Sequence, residues 1–145
     1  MTGNWVLDHE SVKIVGNNWK LLDNKMEITR NGETLSMIQK VSWKNGQGNV
    51  VKASETLAII PRILDGKVQV GRTWAWNNGG GQISAGLFDM SDGKFSGTLT
   101  AVDAKTPWAK LAIDHSDADR IGFHYQALNP QGEQQWSLEF DVVKY

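Results

Sequence analysis

The chain has 145 residues, 40% of them hydrophobic and 21% charged, with no cysteine, the size and balance of one globular domain. Lys and Arg total 15 against 16 Asp and Glu, a net charge of -1 with no run of either sign, which excludes a nucleic-acid partner recognised through its phosphates. Absent thiols exclude disulfides, thiolate metal sites and cysteine nucleophiles, and no apolar stretch approaches the ~20 residues of a transmembrane segment. The start, Met1-Thr2-Gly3-Asn4-Trp5, lacks the charged-then-apolar plan of a signal peptide. The expectation is a soluble protein, cytoplasmic or secreted without a visible signal.

Short alternating runs separated by turn residues dominate the chain. Residues 26–30 and 33–37 flank Asn31-Gly32, which predicts a hairpin with those two residues at the centre of a type I′ turn. Residues 38–43 prolong its second strand to Trp43. The segment 54–60, stopped by Pro61, fits either a helical turn capped by Ser54 or a strand ending in Ile59-Ile60.

From Lys67 to Trp76, Val68, Val70, Arg72, Trp74 and Trp76 share one parity, so both tryptophans face the same side of one strand. Residues 83–90 and 94–101 read as a hairpin about Asp92-Gly93, with Phe95, Gly97, Leu99 and Ala101 on one face. Residues 109–114 and 121–128 flank a polar turn, and Asn129-Pro130-Gln131-Gly132 leads into a last strand in which Trp136, Leu138, Phe140 and Val142 alternate with polar residues. Trp136 is the expected core tryptophan. The predicted fold is all-β, one domain over residues 1–145, with roughly eight to ten antiparallel strands forming an up-and-down β-barrel or a two-layer β-sandwich. Edge strands in such a fold can be covered by self-association, so a homo-oligomer is one expected state.

Seven tryptophans in so short a chain are its main chemical feature. Trp43-Lys44-Asn45-Gly46-Gln47-Gly48-Asn49 and Trp76-Asn77-Asn78-Gly79-Gly80-Gly81-Gln82 repeat one theme, an indole beside short amides and bare backbone. Indole faces stack on the C–H patches of sugar rings, while Asn and Gln offer a donor and an acceptor in one group. The leading expectation is a non-enzymatic, lectin-like carbohydrate-binding protein. In it Trp43, Trp74 or Trp76 stacks on the sugar, and Asn45, Gln47, Asn49, Asn77, Asn78 and Gln82 bind its hydroxyls. The plainer reading makes these rings core and these stretches turns, which are rich in Asn and Gly anyway.

The alternative is a small β-barrel carrier or enzyme that holds an apolar small-molecule ligand in its lumen, with Trp74 and Trp76 as walls and Arg72 or His124 as polar group. Gly71, Gly86 and Gly97 would then leave the space. No catalytic motif is present, and no residue is assigned a catalytic role. The cluster Asp114-His115-Ser116-Asp117-Ala118-Asp119 misses the spacing and glycine of a calcium loop, so neither a metal nor a cofactor is expected.

Overall fold

In the computed structural model the described residues, 1–61 and 64–145, form ten antiparallel strands. These are β1 (Gly3–Val15), β2 (Lys20–Asn31), β3 (Thr34–Lys44), β4 (Val50–Pro61), β5 (Lys67–Trp76), β6 (Gly81–Ser91), β7 (Lys94–Ala101), β8 (Ala109–Asp117), β9 (Arg120–Leu128) and β10 (Gln134–Lys144). Each pairs with its neighbours in sequence, and β1 pairs with β10, so the sheet closes into an up-and-down barrel. Closure decides between barrel and sandwich. It rests on pairs such as Leu7 with Val142 and Ile14 with Leu138, and it removes every exposed strand edge. No helix among the described residues is long and apolar enough to cross a membrane.

Alternation sets which side chains turn inward. Ala53, Glu55, Leu57 and Ile59 are buried along β4, so the segment open to two readings is a strand. Ile121, Phe123, Tyr125 and Ala127 are buried along β9. That parity turns His124 outward, where its Nε2 lies 3.3 Å from Glu139 on the surface, and the expectation that His124 serves as the lumen's polar group is overturned. Gly71 also faces outward, between buried Val70 and Arg72.

The Asn31-Gly32 hairpin forms with a different turn. Asn31 pairs with Thr34, so Gly32 and Glu33 occupy the tip, and only Gly32 has positive φ (62°). This is the pattern of a type II′ turn, which needs glycine at its first central position alone. Asn31 keeps an extended backbone and a place in the ladder.

Strand β1 bulges between Asp8 and Lys13 against β10. There the Ser11 hydroxyl donates to Asp8 O (2.6 Å) and accepts from the Asp141 N–H (2.8 Å), replacing a ladder bond that the bulge removes. Outside the barrel, Arg120 Nη1 bridges Asp8 (2.9 Å) and Asp141 (2.7 Å), tying β9, β10 and β1 together across the closing seam.

The lumen has two zones. At the end that carries the chain termini it is packed solid: Trp5, Met37, Leu57, Val70, Phe88 and Ile113 are each at most 1% exposed. Trp5, for which the sequence offered no assignment, is core here, its indole N–H donating to Met1 O. Gly86 and Gly97 leave no open space: a Cβ on Gly97 would meet Phe88 Cδ1 at 2.6 Å, and one on Gly86 would run into the Thr98 carbonyl oxygen, with Phe88 Cε1 3.3 Å away. The opposite end, where the β1–β2, β3–β4, β5–β6, β7–β8 and β9–β10 loops lie, is hollow.

Candidate functional site

The hollow end is a cavity of about 390 Å³, within the usual size of small-molecule sites. Six of the seven tryptophans line it: Trp19, Trp43, Trp74, Trp76, Trp108 and Trp136, so the tryptophan content is concentrated in one place rather than spread through a core. Trp136, expected as pure core, is a half-buried wall residue.

The rings form an arc. Trp43 meets Trp19 (centroids 6.3 Å apart), Trp19 meets Trp76 (5.7 Å), and Trp76 meets Trp74 edge to face (5.1 Å). The Arg72 guanidinium continues the series, 5.0 Å from the Trp74 ring and 4.9 Å from that of Trp108. Trp108 in turn stacks with Tyr125 (6.5 Å). A desolvated cation between two indoles gains about 2 kcal/mol or more from such contacts.

Each wall residue is positioned by its strand. Trp43 and Trp74 follow the inward parity of β3 and β5. Trp108 precedes β8, held by its N–H to Leu99 O (2.9 Å) and by Leu128 N–H to its own carbonyl (2.7 Å), so backbone bonds from both neighbouring strands aim the ring.

At the base of the hollow, Arg72 Nε donates to Glu55 Oε1 (2.7 Å), and the Tyr125 hydroxyl donates to the same oxygen (2.7 Å). Arg72 and Glu55 are only 8% and 5% exposed. Burial opposes the charge on Arg72, but the Glu55 carboxylate and its hydrogen bond outweigh that, and the guanidinium pKa is raised. Burial, reinforced by Glu55, lifts the Tyr125 phenol well above its ordinary 10. Because the folded state holds this proton more tightly than the unfolded chain, stability contributed by the neutral phenol is complete below about pH 10 and is lost as pH rises beyond it. In an alkaline titration followed by tyrosinate absorbance, Tyr125 should ionise only as the barrel unfolds, and Tyr125→Phe should remove that step. Ionisation of Tyr125 in the native barrel near pH 10 would refute this.

A second buried polar pair lies beside the first. Asn24 Nδ2 donates to Gln39 Oε1 (2.8 Å), leaving Asn24 Oδ1 and Gln39 Nε2 without partners, as are the indole N–H groups of Trp43 and Trp108. Asn24, Trp43 and Trp108 all line the cavity. Buried polar atoms are normally satisfied, so several orphans around one hollow mark a place built for polar contacts.

Of the residues singled out in the sequence, Trp43, Arg72, Trp74, Trp76 and Gln82 line the cavity. Asn45, Gln47, Asn49, Asn77 and Asn78 do not. Asn45 is occupied by its own turn, its Oδ1 accepting from the N–H groups of Gln47 (3.0 Å) and Asn49 (2.9 Å); Gln47, Asn49, Asn77 and Asn78 are exposed. Glu55, Tyr125, Asn24, Trp19 and Trp108 are the additions. Tyr125 was legible from its inward parity, and Glu55 from being the one charge on the parity of β4 that carries Ala53, Leu57 and Ile59.

The apparent repeat between the two Trp-Asn/Gly phrases resolves differently. In the β3–β4 loop Asn45 N–H donates to Asn49 O and Gly48 N–H to Asn45 O; in the β9–β10 loop Asn129 and Glu133, then Gly132 and Asn129, make the same bonds. In the β5–β6 loop Trp76 and Gly80, then Gly79 and Trp76, repeat them. All three place a positive-φ glycine fourth, at 83°, 82° and 105°. The structural equivalent of Trp76 is therefore Asn45, not Trp43, and Trp43 matches Trp74.

The acidic turn caps itself. Asp114 Oδ1 accepts from the Ser116 hydroxyl (2.6 Å) and N–H (3.0 Å), and Asp117 Oδ1 from Asp119 N–H (2.8 Å). The Ser116 bonds lower the Asp114 pKa. No group of three or more potential metal ligands gathers among the described residues. No protein-family model matches the chain, and no curated protein matches it either.

Proposed function

We propose that the protein is a binding protein that encloses a small molecule in the open end of its barrel, the body of the ligand against the indole arc and its polar end on Arg72 and Glu55. The observation that carries this is the convergence of six tryptophans on a hollow whose base is a buried ion pair with Tyr125. Ligand sites are concave, largely apolar and equipped with a few convergent polar groups. The lectin-like reading loses support because the loop amides meant to bind hydroxyls are turned out of the hollow or cap their own turns.

Titration with N-phenylnaphthylamine, an uncharged fluorescent probe, tests the reading by energy transfer from tryptophan. Saturable binding is expected, weakened about tenfold or more in Trp74→Ala and unchanged in Asn45→Ala and Asn78→Ala. Failure of the probe to bind, or selective glycan binding abolished by the asparagine variants, would return the function to the loops.

A further inference from the structure

The hollow holds one cation and one anion, and they cancel. Arg72 uses only Nε on Glu55, so its two Nη groups are not tied to the carboxylate. Glu55 takes its bonds from both Arg72 and Tyr125 on Oε1, which leaves Oε2 to accept from elsewhere. Both residues line the cavity, as does Asn24, 1% exposed and with Oδ1 unpartnered. The polar complement is thus mixed, with guanidinium donors beside carboxylate and amide acceptors, and without net charge.

We infer that the hollow selects an uncharged, flat aromatic or heteroaromatic ligand whose buried end carries an acceptor beside a donor, as a carboxamide or lactam does, and rejects carboxylates and amines of the same shape. This rests on the lumenal binding proposed above. The ligand carbonyl accepts from the Arg72 Nη groups, and its N–H donates to Glu55 Oε2. A carboxylate would set a second negative charge against Glu55, and an ammonium a second positive charge against Arg72. In a site this buried either charge goes uncompensated, a costly state. Flatness follows from the walls, since indoles offer ring faces and edges that reward stacked or edge-on aromatic contact.

Naphthamide, naphthoate and naphthylmethylamine, one skeleton with three charges, decide the question by calorimetry and tryptophan quenching near neutral pH. The wild type should bind naphthamide about tenfold or more tightly than either ion. Glu55→Gln, which exposes the charge of Arg72, should move the preference to naphthoate; Arg72→Gln should move it to the amine. The double variant Glu55→Gln/Arg72→Gln should restore the preference for the amide, and with the wild-type ranking it decides the matter if a single variant does not fold. A wild-type preference for either ion, or an unchanged ranking in a folded Glu55→Gln, overturns the inference. If N-phenylnaphthylamine binds and none of the three does, this inference alone fails; if that probe also fails, lumenal binding falls with it.

Discussion

Glu55→Ala should lower the unfolding free energy by about 3–5 kcal/mol, because it leaves a guanidinium that is buried, stacked between indoles and unable to shed its proton. In a domain of this size that is a fall in Tm of roughly 6–20 °C, readable by calorimetry or urea titration. Arg72→Met should cost less than Glu55→Ala, since the Tyr125 hydroxyl still donates to the carboxylate left behind. Replacing both, as Glu55→Leu/Arg72→Met, should bring stability back to about the wild-type level or above, as apolar replacement of buried ion pairs often does. If Glu55→Ala unfolds within about 1 kcal/mol of wild type, the pair is not desolvated as the geometry requires. The contrast separates two roles, since the pair would be retained for what it binds and not for what it adds to stability.

The second large effect belongs to the packed end. Phe88 is fully buried, and its removal in Phe88→Ala should cost about 3–5 kcal/mol, the transfer of a phenyl group plus the hole it leaves. Gly97, paired with Phe88 across β6 and β7, makes the ring's place: an added Cβ there would lie 2.6 Å from Phe88 Cδ1 and 2.9 Å from Leu87 O. Gly97→Ala should therefore destabilise the wild type, and do so less in the Phe88→Ala background, where one of the two collisions is gone. A double-mutant cycle reads that coupling. Purely additive costs would mean that the ring and the glycine are not matched.

Much of the fold was legible because strand alternation is local. The inward faces of β5, β7, β9 and β10 follow directly from residues such as Val68 and Val70, Phe95 and Leu99, or Phe123 and Tyr125. Barrel against sandwich was not legible, because it depends on β1 meeting β10, contacts separated by nearly the whole chain. The strand β4 was ambiguous for a related reason. Glu55 breaks its apolar parity, and a carboxylate there makes sense only once Arg72 and Tyr125 arrive from β5 and β9. The loop asparagines were ambiguous because turn formation and sugar recognition draw on the same residues. Asn45 answers to its own backbone, which sequence alone does not distinguish from readiness to bind.

The three matching loop frames place two opposed demands on one position. Asn45 and Asn129 each close their turn with a side-chain oxygen that gathers two backbone N–H groups, whereas Trp76 occupies the same place with a ring that can gather none. Directed evolution for heat resistance alone should accordingly drift toward asparagine at 76, erasing a wall of the cavity, while selection for the proposed ligand capture should hold the indole and tolerate the looser loop. Position 76 is where the chain's stability and its use would be traded against each other.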